Sequence, residues 1–114
     1  MPKKTDIKRM HVPLYGVPIT FVCGFEAARA LGMEPLEHWG AMASTLGAEV
    51  FLTLGYPEAN CPGTIAHEAL HCAWRVLDLV GVEVEAANHE ALAYLVGWIV
   101  ETATAFFDKH YPAE

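Results

Sequence analysis

The sequence predicts an α+β fold in which a small three-stranded sheet packs on two helices, and three observations predict it. The segments VPITFVC (17–23) and EVFLTL (49–54) are dense in β-branched and aromatic residues, the composition of buried strands. Two later stretches, 64–79 and 89–109, carry apolar residues at helical spacing with cap residues before them. Across 114 residues, 54% are apolar and 18% charged, enough for one core and too apolar for a disordered chain. Residues 13–114 are therefore expected to form a single domain, after a flexible basic lead-in at 1–12 that holds Lys3, Lys4, Lys8 and Arg9.

The elements follow in order. Gly24 ends the first strand, and FEAARALGM (25–33) is built of helix formers until Gly32 and Pro35 stop it. Leu46-Gly47-Ala48 joins WGAMAST (39–45) to EVFLTL in what reads as a β-hairpin, although 36–46 also fits a helix. Gly55, Pro57, Asn60, Pro62 and Gly63 mark a loop. Thr64 is the expected N-cap of the helix that runs to about Leu79, with Gly81 just past its end. IAHEALHCAWRVLDLV is apolar on most faces, so this helix is expected to be largely buried. Asn88 caps the last helix, from about His89 to Lys109, whose Leu92, Leu95, Val96, Ile99 and Phe106 turn toward the core. Trp74, Trp98, Phe106 and Phe107 are expected core residues as well.

Charge and cysteine usage limit the function classes. Acidic residues outnumber basic ones 14 to 7, and four of the seven basic residues lie before residue 10. The remaining body repels phosphate backbones, which argues against nucleic acid as a partner. Cys23, Cys61 and Cys72 are odd in number and widely spaced, as expected for reduced thiols in a cytoplasmic protein rather than a disulfide framework. The longest apolar run, ALAYLVGWIV (91–100), is too short to span a bilayer, so no membrane is expected.

Chemistry concentrates in His67-Glu68-Ala69-Leu70-His71. Residues four apart on a helix lie about 40° apart around its axis and about 6 Å along it, so two imidazoles can converge on one metal ion. Glu68 sits about 100° around from His67, beside the pair and placed to take a proton from a water. Zinc with three protein ligands keeps a fourth position open for that water and lowers its pKa toward about 7. The five-residue pattern arises by chance in roughly 3 chains in 100 of this composition, the bland alternative being a core histidine, a surface histidine and a salt bridge. Three polar groups on an otherwise apolar helix are costly unless something satisfies them. For a third ligand, Asp78 lies on the histidine face but two turns past His71, about 10 Å away and out of reach. Glu90, separated from His71 by eighteen residues, is within reach if the next helix returns antiparallel beside the motif.

HEALH followed by Glu90 within NHEALAY resembles the gluzincin pattern of zinc metallopeptidases, and the order of strand, motif helix and glutamate helix resembles a minimal zincin core. The nearest likeness is to small phage- or prophage-type metallopeptidases. The resemblance covers about residues 48–108. It implies a peptide-hydrolysing enzyme with zinc held by His67, His71 and Glu90, Glu68 as general base, and the 48–54 strand bordering the cleft, where it pairs with an extended peptide.

Two departures from that pattern stand out. Tyr94 occupies the position four after Glu90, where relatives carry an acidic residue that orients a zinc histidine; a backbone carbonyl, the Tyr94 hydroxyl or Glu85 is left for that task. The extra C-terminal domain that supplies transition-state donors in larger relatives is not expected here, which leaves Tyr94, His89, Tyr56 and His110 as candidates. Arg75 is expected to pair with a carboxylate such as Asp78, and Cys72 to behave as a small buried hydrophobe. Two rival readings remain: a zinc-stapled zincin fold without turnover that serves as a binding or assembly module, and a metal-free interaction domain.

Overall fold

The computed structural model describes residues 6–35 and 39–111. The fold is α+β, as expected, but the sheet has four strands rather than three: β1 (Ile7–His11), β2 (Pro18–Cys23), β3 (Ala41–Leu46) and β4 (Glu49–Leu54), in the order β1-β2-β4-β3. The helices are α1 (Phe25–Ala30), α2 (Pro62–Leu79) and α3 (His89–His110).

The extra strand comes from the stretch read as a flexible lead-in. Ile7–His11 pairs antiparallel with β2, from Ile7 opposite Val22 to His11 opposite Pro18. Lys8 and Arg9, which made the segment look solvated, are the kind of charged residues that protect a sheet edge from further pairing. Arg9 also reaches across to Glu49, with Nη2 donating to Oε1 at 2.8 Å. Residues 1–5 of the expected lead-in lie outside the described residues.

Between the edges, β2 and β4 pair in parallel, Ile19 opposite Val50 through Cys23 opposite Leu54. Both are buried on both faces, which explains their continuous apolar runs. The 39–54 region is a hairpin, as one of its two readings held. Leu46 pairs with Glu49 across a tight turn in which Gly47 takes a φ of 60°, a left-handed conformation that favours glycine. Residues 36–38 of the ambiguous stretch lie outside the described residues.

One sheet face carries the main core. Ile19, Phe21, Val50, Leu52 and Leu54 pack under Ala69, Cys72, Ala73, Val76 and Leu77 of α2 and Leu95, Ile99, Ala103 and Phe107 of α3. Fully burying each large side chain contributes about 2 kcal/mol. The opposite face holds a smaller cluster, in which Val22 and Phe51 meet Ala27 and Ala28 of α1 and Met33.

Helices α2 and α3 form an antiparallel hairpin. The side chain of Asn60, just before α2, donates to Asp108 Oδ1 at 3.0 Å and to the Tyr111 carbonyl at 3.3 Å, tying the start of α2 to the end of α3. Asn88 takes the N-cap position of α3 as expected, but its Oδ1 accepts from the Glu85 amide instead of capping the helix, and α2 starts earlier than predicted, with Cys61 at the N-cap and Pro62 in the first turn instead of Thr64 at the cap. The apolar run read as too short to span a bilayer belongs to a longer helix. With 22 residues, α3 is long and apolar enough to cross one by length and composition alone. Here its Leu95, Ile99, Ala103, Phe106 and Phe107 are buried in the core.

Two strand-end features give testable stabilities. Thr53 is fully buried, and its hydroxyl has no hydrogen-bond partner among the described residues. Thr53→Val removes that unpaired group and keeps the shape, so the urea midpoint should rise by the equivalent of about 1 kcal/mol with an unchanged m-value; a fall would mean the hydroxyl is satisfied. At Gly55 a Cβ would lie 2.1 Å from the Phe25 ring, whose edge meets Tyr56 in a T-shaped contact. Gly55→Ala should therefore lower stability by about 1–3 kcal/mol in the same assay.

Candidate active site

The rotation of α2 places the motif. Its buried residues, Ile65, Ala69, Cys72, Ala73, Val76 and Leu77, share one side of the helix. Cys72 Sγ lies against the Phe51 carbonyl of β4 at 3.8 Å, close enough to donate a weak hydrogen bond. His67 and His71 fall on the opposite side, about 160–200° around the axis from Ala69. The helix is therefore less buried than its composition predicts. Trp74, expected in the core, is 50% exposed, and Leu70 and Leu79 are exposed too, whereas Trp98 packs against the core and Phe106 and Phe107 are buried as expected.

The two imidazoles lie side by side, with ring centroids 4.9 Å apart and planes inclined at 72°. Glu68 is tucked in beside them, its Oε2 lying 4.0 Å from His67 Nε2. Its side chain is only 12% exposed, against 68% for His67. All three residues line a cleft of about 430 Å³, closed on the other side by Trp39, Met42 and Ala43 and at one end by Arg75. A second hollow, of about 320 Å³, continues past Trp39, His67 and Glu68 toward Ala41 and Thr64.

The strand beside the cleft is β3, not the 48–54 strand. β4 is hydrogen-bonded on both sides, to β2 and β3, so it has no free edge to offer. β3 is the outer strand, and Ala41–Leu46 contains no charged residue, unlike β1 at the other edge.

The structure does not bring Glu90 to the histidines. Among the described residues, no third His, Cys, Asp or Glu joins His67 and His71 in a group able to hold a metal ion. The helical hairpin explains this, because antiparallel packing sets α3's first turn beside the end of α2. From His71 to Leu79 the helix rises about 12 Å, and Glu90 stays at that far end. For zinc, the donor set present is thus a pair of imidazoles with a neighbouring carboxylate, short of the three-ligand set that the sequence led us to expect.

None of the proposed donors lines the cleft. Tyr94 is exposed on α3 and does not line the cleft. His89 lies exposed in the first turn of α3, and His110 stacks on Phe106 with its Nδ1 3.2 Å from the Phe106 carbonyl. Tyr56 comes nearest, with its hydroxyl against Gly40, the neighbour of Trp39. Glu85 is exposed in the loop between α2 and α3, where its amide donates to Asn88. Sequence reasoning missed Trp39, Met42 and Ala43, which are brought in by the hairpin. It also paired Arg75 with Asp78, whereas the guanidinium donates to Thr45 Oγ1 of β3 at 3.1 Å.

Comparison of the chain with protein-family models, with curated proteins and with solved structures found no match.

The cysteines differ sharply in reactivity. All three are free. Burial pushes the Cys23 thiol up to about 12, helped by the Asp6 carboxylate, and burial also raises Cys72. Exposed Cys61 is lowered instead, because the Thr64 hydroxyl, the Thr64 amide and the Gly63 amide hydrogen-bond its thiolate. A lowered pKa means a larger thiolate fraction at any pH below it. At pH 7.5, iodoacetamide should therefore label Cys61 many times faster than the other two, and Thr64→Val should slow that labelling. Equal rates at all three cysteines, read by peptide mass mapping, would contradict this.

Proposed function

We propose that the α2–β3 cleft binds an extended peptide and hydrolyses it, with His67 and His71 holding zinc and Glu68 acting as general base in a zincin-like site. What carries the reading is the convergence of two imidazoles and a half-sheltered carboxylate on one cleft beside an unguarded strand edge. Zinc, when bound, supplies a water of lowered pKa.

Each residue has a task that its position allows. His67 and His71 project from one rigid helix, so their donor nitrogens lose little freedom on binding a metal. Glu68, sheltered from bulk solvent, accepts the proton of the attacking water at Oε2 and passes it to the departing amine. β3 offers free backbone amides and carbonyls to a peptide laid along it, and Trp39 and Met42 form an apolar wall that keeps water away from it. β1 carries Lys8 and Arg9 against such pairing, whereas β3 carries no charge, which supports β3 as the docking edge.

A second reading keeps the peptide and drops the turnover: a zincin-like binding module. It is favoured by the want of a third ligand among the described residues. The two readings separate at Glu68. In the enzyme, Glu68→Gln should cut hydrolysis of a quenched-fluorescent peptide library by at least about 10²-fold. Zinc content by elemental mass spectrometry on tag-free protein should survive that change and fall in His71→Ala. Hydrolysis that persists in the purified Glu68→Gln protein would overturn the catalytic assignment.

A further inference from the structure

The cleft contains a cation to which the hydrolytic reading gives no task. Arg75 is one of only three basic residues after residue 10, in a chain of net charge −7. It lies one turn beyond His71 on α2 and lines the same cleft as His67, Glu68 and His71. Among the described residues no carboxylate pairs with it; its hydrogen bond is to the neutral Thr45 hydroxyl at 3.1 Å. That bond spans from helix to edge strand and holds the guanidinium across the end of the cleft. A guanidinium so held keeps most of its five N–H donors, which in a fixed fork match a carboxylate.

We propose that Arg75 selects the peptide, by binding a carboxylate that lies two residues from the peptide unit opposite His71. The spacing comes from both walls. Along α2, His71 to Arg75 is about 6 Å. Along β3, Ala43, which faces the histidines, to Thr45, which faces Arg75, is about 7 Å, or two residues of an extended chain. A peptide that runs along β3 therefore presents to Arg75 a side chain two places from the unit beside His71, and on the same face as that unit's side chain. The chemistry recognised is a carboxylate, whether an Asp or Glu side chain or a free C-terminus. Neutral residues there would leave the guanidinium with Thr45 alone, and basic residues would be repelled. The rest of the surface is acidic and disfavours acidic peptides, so a preference for them has to come from the cleft.

This assignment rests on the peptide-binding reading of the cleft and not on turnover in it, so the test is binding to the full-length Glu68→Gln protein. Fluorescein-labelled, amide-capped octapeptides with one glutamate walked through an otherwise neutral sequence, and glutamine controls at the same positions, would be titrated by fluorescence anisotropy at low salt. A parallel set with a free C-terminus distinguishes the two sources of the carboxylate. The expected result is binding roughly tenfold tighter for glutamate than for glutamine at one position, or for the free over the capped terminus. Arg75→Gln should erase that difference and Arg75→Lys should keep part of it, with both variants melting like the parent. Equal binding of acidic and neutral peptides, a preference that survives Arg75→Gln, or no binding of either set would overturn the proposal. Peptide binding with the Arg75-dependent preference, but no hydrolysis by the wild-type chain, would uphold it while the catalytic reading fails.

Discussion

Small side chains on one side of α2 decide how that helix is turned, and the candidate site follows from the turn. Ala69 and Ala73 let the backbone come close to the sheet, and Cys72 sits against the Phe51 carbonyl of β4, all three fully buried. A helix seated this closely cannot rotate without driving a polar residue into the core, where an unpaired group costs several kcal/mol. His67 and His71 are thereby held on the outer side and Glu68 at its margin. The polar groups that looked costly on an apolar helix meet solvent and a cleft instead of the core.

The same seating sets what α2 faces. Because β2 and β4 occupy the sheet centre in parallel pairing, the hairpin partner β3 is pushed to the edge, directly beside the motif side of α2. Arg75 and Thr45 fasten the two together. The result is a cleft with one chemical wall and one backbone wall, a combination suited to an extended peptide. The two edges of the sheet are unlike in composition, and the uncharged one is the one beside the histidines.

Much of this layout was legible in the residues, and the failures have physical causes. β2, β4, α2 and α3 were readable because buried strands and amphipathic helices write their environment as local composition and period. β1 was not, since the charges that guard an edge strand look in isolation like a solvated tail. Trp74 was assigned inward because hydrophobicity alone does not say which of two apolar sides of a helix is covered. Arg75 was within reach of the period-based reasoning that placed His67 and His71, one further turn along the same face. The nearer carboxylate of Asp78 drew the assignment away from Thr45, thirty residues earlier in the chain.

By itself, the sequence determined the α+β class, the hairpin signal at Gly47, the start of α3 at Asn88, and the convergence of His67, Glu68 and His71. Each of these depends on residues within a turn or two of one another, where backbone geometry fixes distance. Only the tertiary structure decided that the sheet has a fourth strand, that β3 rather than β4 borders the cleft, and that Glu90 remains about two turns of helix from the histidines. Those outcomes depend on how α3 slides along α2 and which strand takes the edge. Such choices are set by packing summed over the whole core, with residues distant in the chain contributing as much as neighbours.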